Sequence, residues 1–169
     1  MRKITIKKNR HYPCLIPFPL PFWVNKHGIS IRFSKIMFTG SCMYNLVDED
    51  QLDTNKLFGF SIGHHRHGSS FRFGWRPLLD EGLIEIISYE YHDGVRQKIM
   101  PICKISPNKW YEFSIAYSPV TNRTIYLVDN IRFVNNMNLR KKYGWGYCLG
   151  FYFGGNEKAP QNISIYKKA

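Results

Sequence analysis

The residues best suited to chemistry lie within positions 56–77, KLFGFSIGHHRHGSSFRFGWRP. Three histidines, three arginines and five large aromatics share this one strand–loop–strand unit. Neutral imidazole is a common metal ligand, so His64, His65 and His67 are weighed first. They are contiguous on a loop, with no cysteine or HExxH-type partner nearby. Further ligands would have to come from a distant loop such as residues 48–53. We read the histidines as caps of a hairpin, and expect neither a metal nor a cofactor.

The arginines are a different case, because alternation separates them from the aromatics. Phe58, Phe60 and Ile62 share one side of the first strand, and Gly59, Ser61 and Gly63 share the other. On the second strand Phe71, Phe73 and Trp75 point one way while Arg72, Gly74 and Arg76 point the opposite way. A period of two marks a strand with one face in a core. The other face would carry Arg72 and Arg76, with Glu85, Tyr89 and Tyr91 added by the neighbouring strand. The last long strand repeats the pattern: Tyr147, Leu149, Phe151 and Phe153 oppose Cys148, Gly150, Tyr152 and Gly154.

Glycine within a strand often marks close approach of another group. A shallow groove floored by glycine and edged by Arg72, Arg76, Glu85, Tyr89, Tyr91 and Tyr152 would suit a sugar chain or an extended peptide. Planar rings stack on pyranose faces, and arginine forks onto carboxylates or hydroxyls. The alternative is a cross-strand Arg72–Glu85 pair, with the glycines making room for a covering loop. Both readings stand at this stage.

Catalysis is harder to place. Glycoside hydrolysis needs two carboxylates at a set separation, whereas the in-strand acids Glu85, Glu90 and Glu112 are isolated. A lyase needs a Tyr or His base beside a charge-neutralising group. Tyr89, Tyr91, His92 and Arg72 supply the types without a diagnostic spacing, so we expect no enzyme. In FRFGWR the aromatics and arginines face apart, which argues against a stacking platform for nucleic acid.

The elements that must position these residues are strands. Aromatics make up 16% of 169 residues, and Tyr, Phe, Ile, Thr and Ser dominate over scarce Ala. Strand patterns fall at residues 2–8, 28–39, 56–62, 70–77, 83–91, 95–100, 110–117, 124–128, 131–134, 146–155 and 163–166. His92-Asp93-Gly94 supplies a hairpin turn, and Asp129-Asn130 another. About ten strands divided by turn residues, with almost no helix, define an all-β sandwich or barrel. We divide the chain into an opening strand with a proline-rich arm, residues 1–27, and a sandwich domain, residues 28–169. The four prolines of YPCLIPFPLPFWV break any helical signal segment, and no run is long enough to span a membrane. The four cysteines show no metal-ligand rhythm and are expected to be reduced. Net charge is +12, from 24 basic against 12 acidic residues, which favours anionic partners or is simply a solvated β surface.

Three stretches carry a family resemblance: GYCLGFYFGGNEKAPQNISIY, KLFGFSIGHHRHGSSFRFGWR and IEIISYEYHDGVR. Together they resemble small concanavalin A-like (lectin/glucanase, LamG-like) β-sandwich modules of the kind encoded by gut bacteria and their tailed phages. The resemblance covers residues 28–169. It implies a jelly-roll sandwich of two antiparallel sheets that binds glycans or proteins, or decorates a virion. Related branches are alginate-type lyases with RTELR-like, QIH and YFKAGxYNQ-like strands. SSFRFGWR and FYFGGNEKAP are distant echoes of the first and third, and QIH has no counterpart. The expected role is a non-enzymatic virion structural or decoration protein, its arm docked on other virion or surface proteins and the chain self-associating. The alternative is a lectin-like carbohydrate-binding module for an acidic or neutral glycan at a virion or bacterial surface, and after it a polysaccharide lyase.

Overall fold

A computed structural model describes residues 1–13, 20–46, 49–63 and 66–168. The expectations for Cys14, Asp48, His64 and His65 therefore lie outside the described residues. In chain order the strands are β1 (Arg2–Ile6), β2 (Pro21–Val24), β3 (Ser30–Phe38), β4 (Asn55–Ile62), β5 (Ser69–Leu78) and β6 (Leu83–His92). They continue with β7 (Val95–Arg96), β8 (Met100–Ile105), β9 (Trp110–Ser118), β10 (Arg123–Val128), β11 (Ile131–Asn136), β12 (Gly144–Leu149) and β13 (Ile163–Lys168). One sheet runs β1-β13-β3-β9-β10-β11. The other runs β2-β12-β4-β5-β6-β7, with β8 also paired to β6. All the pairings are antiparallel, as expected of a jelly-roll sandwich.

The core is aromatic and built across the two sheets. Phe71, Phe73 and Trp75 of β5 each meet a ring from the opposite sheet: Tyr117 at 5.1 Å, Phe113 at 5.2 Å and Phe38 at 5.2 Å between centroids. Edge-to-face and offset contacts at these separations suit the ring quadrupoles. Alternation along FRFGWR thus places its aromatics inside. The Asp93-Gly94 turn has positive φ at both residues (48° and 90°), the geometry that joins β6 to β7. Residues 95–100 do not form one return strand, however. The pairing stops at Arg96 and resumes at Met100, and it shifts register where Pro101 lies against Ile87. Proline has no N–H to give the ladder and is tolerated at such an irregularity on an edge strand.

The strands on either side of the proline-rich connector both join the sandwich. β1 pairs with β13 along its whole length, and β2 pairs with β12. The opening segment thus contributes one strand to each sheet. Ile6 and Val24 are fully buried, so the same hydrophobic burial that holds the other strands holds these. Cys42, Cys103 and Cys148 are free thiols.

Candidate ligand-binding groove

The groove lies on the face of the β4–β5–β6 layer that points away from the core. Register places Arg72 opposite both Gly59 and Tyr89, Ser70 opposite Tyr91, and Arg76 opposite Glu85. A β-bulge interrupts β4 between Lys56 and Gly59. One extra residue in a strand reverses the facing of everything before it. Leu57 and Phe58 therefore both enter the core, while Lys56 turns outward onto the Arg72 face.

Lys56, Arg72 and Tyr89 form a buried floor. The Lys56 Nζ donates to the Gly154 carbonyl at 2.8 Å and lies over the rings of Tyr89 (4.9 Å) and Tyr152 (5.3 Å). The Arg72 Nη2 donates to the Gly150 carbonyl at 2.7 Å, and its Nε, also buried, has no partner among the described residues. Tyr152 and Tyr91 make half-buried walls. His11 stacks on Tyr152 at 5.3 Å, Tyr12 meets it edge-on at 4.8 Å, and His67 stacks on Tyr91 at 4.9 Å. At the rim the exposed Arg66 donates from Nη1 to the Tyr12 hydroxyl at 2.9 Å, and Arg96 reaches Tyr89.

Of the six residues singled out from sequence, Arg72, Tyr89, Tyr91 and Tyr152 come together here. Arg76 and Glu85 share the face but are bound to each other, Nε to Oε2 at 2.7 Å. The cross-strand Arg72–Glu85 pair does not form. The register aligns Glu85 with Arg76 and leaves Arg72 beside Tyr89. The four glycines expected to mark close approach do so unevenly. Gly59, Gly74 and Gly154 abut neighbouring atoms, Gly154 also having a φ of +71°, whereas a Cβ added at Gly150 would meet nothing within 4 Å among the described residues. Lys56, Arg66, Arg96, His11 and Tyr12 escape the sequence reading of the site. Only Lys56 carries a signal, since strict alternation would put its charge in the core.

The electrostatics are mainly cationic, with Asp53 the opposing charge that acts on Lys56. Burial pushes the Arg72 guanidinium down to about 10. Burial, followed by repulsion from Arg72, pushes Lys56 down to about 8. Desolvation raises both Tyr89 and Tyr152, keeping them neutral hydrogen-bonding rings at neutral pH. Among the described residues, no carboxylate forms an ion pair with Lys56, Arg66, Arg72 or Arg96. The lowered Lys56 value fixes a sign. Its charged form is disfavoured in the folded state, so stability should rise as pH climbs from about 8 toward 10.5. Affinity for an anion should do the reverse, level below pH 8 and declining above it as the ammonium is lost. Titrations over that range read both slopes, and Lys56→Met should flatten them.

Sheet order and packing together define a jelly-roll β-sandwich of two antiparallel sheets. No protein-family model matches the sequence, and no curated protein matches it. Among solved structures, the chain is similar to an alginate lyase from Pseudomonas aeruginosa. The TM-score is 0.59 at 8% identity, covering 98% of this chain and 81% of that one. It is also similar to a marine family PL7 alginate lyase from Zobellia galactanivorans, with TM-score 0.55 at 10% identity, covering 86% of this chain and 62% of that one. At such identities the likeness is one of fold.

Proposed function

We propose that this protein binds an acidic polysaccharide, a chain of uronate rings, in the groove over Arg72. The observation that carries the reading is a buried guanidinium with, among the described residues, an unpartnered Nε and no carboxylate paired with it. Burying a cation is costly unless it is paired and hydrogen-bonded. A uronate carboxylate meeting the outer edge of the guanidinium would offset that cost with charge and a hydrogen bond. Lys56 and the rim residues Arg66 and Arg96 add charge for neighbouring carboxylates, while Tyr91 and Tyr152, already stacked by His67 and His11, shape the walls. A neutral glycan would leave the cations unanswered. The solved alginate lyases of similar fold act on a polymer of this chemical kind.

Calorimetric titration with a tri-uronate and with its carboxyl-reduced, neutral counterpart tests this. Binding of the acid alone, weakening with added salt, is the expected result. Equal binding of both would remove the charge-based reading.

A second reading, lyase action, is favoured by Tyr152 and Tyr89 standing beside Arg72. Such an enzyme takes the proton from the carbon next to a uronate carboxylate, and the electron pair forms a C=C bond as the adjacent glycosidic C–O bond breaks and its oxygen leaves protonated. We expect incubation with alginate to leave the ultraviolet absorbance of unsaturated uronate unchanged. A steady rise, lost in Tyr152→Phe, would move the assignment to an enzyme. Display on a virion or a bacterial surface is the setting we propose for the binder, on composition and resemblance alone.

A further inference from the structure

A second aromatic and basic cluster lies on the same sheet, away from Arg72. Trp23 of β2 and Trp145 of β12 are direct cross-strand partners, with ring centroids 5.2 Å apart. Their neighbours show which way they point. Phe22 packs on the core ring of Phe60 at 4.5 Å, and Cys148 pairs opposite Phe60. Residues one and three positions away therefore face outward, on the side that carries Arg72. Both indoles stay open, Trp23 at 53% and Trp145 at 57% exposure. Two adjacent tryptophans this exposed do nothing for the core, and indole suits interfaces where one face is apolar and the other wet.

An independent feature adjoins them. Arg140, Lys141, Lys142 and Tyr143 line a shallow open depression of about 450 Å³. Lys26, three residues beyond Trp23, sits over the Tyr143 ring at 5.4 Å. The Lys141 ammonium approaches Gly63, whose N–H donates to the Trp145 carbonyl at 2.7 Å. Rings and cations thus meet at one end of β12. The groove itself has the same combination, with Tyr152 and Tyr91 beside Lys56 and Arg72.

The ladder relates the two places. Trp145 lies level with Gly63 and Gly68, four residues along the strands from Arg72 and two strands over. That is about 13 Å along and about 10 Å across. A disaccharide on Arg72 would not reach, whereas a longer chain running obliquely over the sheet would. We propose that Trp23 and Trp145, with Lys26 and Lys141 at their side, form a second subsite. It stacks and neutralises the continuation of the acidic oligosaccharide whose first rings occupy the Arg72 groove. This inference rests on the acidic-glycan reading and adds to it a preference for chain length.

The test compares a tri-uronate with a deca-uronate by calorimetry. Wild type should bind the longer chain more tightly. The double variant Trp23→Ala/Trp145→Ala should lose about tenfold for the deca-uronate and nothing for the tri-uronate. Lys141→Glu, which leaves the indole pair intact, should show the same selective loss. The buried Trp75 emission serves as a check that each variant is folded. Equal wild-type affinity for the two lengths overturns the second subsite while the groove stands, as does a folded double variant with unchanged deca-uronate affinity. Failure of wild type to bind either length overturns both.

Discussion

Arg72→Met should lower affinity for a tri-uronate by about 10- to 100-fold while leaving the fold as stable as before, or more so. The first half follows from hydrogen bonds to a charged group, worth about 1.5–3 kcal/mol. The second follows from the direction of the guanidinium's shift. Its value of about 10 lies below the ordinary 12.5, so the folded state disfavours the charged form at every pH below 10. Removing that cation relieves a cost, and the methionine stem keeps most of the packing. The loss is one hydrogen bond to the Gly150 carbonyl. Calorimetry and urea melts on the same preparations separate the two effects. Affinity and stability falling together would instead make Arg72 a structural tie between β5 and the segment after β12.

Gly59→Ala is expected to cost about 4 kcal/mol or more, among the largest values for a single substitution. A Cβ at this position would overlap the Phe71 carbonyl and stand 2.7 Å from the Arg72 Cα. Those atoms are backbone of the adjacent strand and cannot rotate away. Gly59 borders the bulge that turns Lys56 toward the ligand face. Relieving the overlap would move Phe71 and Arg72 together. Gly150→Ala is the internal control, since nothing among the described residues lies within 4 Å of its Cβ position. Urea denaturation should show a large shift in midpoint for Gly59→Ala and little for Gly150→Ala. Similar midpoints for the two would mean that β4 accommodates a side chain and that the bulge is soft.

Much of the sandwich is legible in the sequence because its strands alternate strictly. FRFGWR separates core rings from outward arginines with no help from tertiary structure, and Asp93-Gly94 announces its turn. The site is legible only in part. Tyr89 and Tyr91 follow from β6. Tyr152 follows from alternation with buried Phe151 and Phe153, but that phase does not extend back into β12. There Cys148 pairs opposite core Phe60, and Tyr147 and Leu149, read as sharing the side of Phe151, face outward. Lys56 is hidden by the bulge, which a period-two reading cannot see. A lysine falling on a core face is the one hint of it. The Arg76–Glu85 pair depends on register. The tight connection at Leu79–Glu81 fixes that register, and composition does not locate such a turn to the residue. His11 and Tyr12 sit in the segment set apart from the sandwich domain as an opening strand with a proline-rich arm, and the bond from the Phe153 N–H to the His11 carbonyl spans most of the chain. Local pattern carries no trace of so distant a contact.

The central claim is that a uronate carboxylate completes the hydrogen bonding of Arg72. A crystal structure of the complex with a tri-uronate tests it most directly. The account predicts a carboxylate within hydrogen-bonding distance of the Arg72 guanidinium, between Tyr89 and Tyr152, with Lys56 approaching the same or the next ring. A tri-uronate bound with its carboxylates in solvent, or seated elsewhere with Arg72 unchanged, would contradict it.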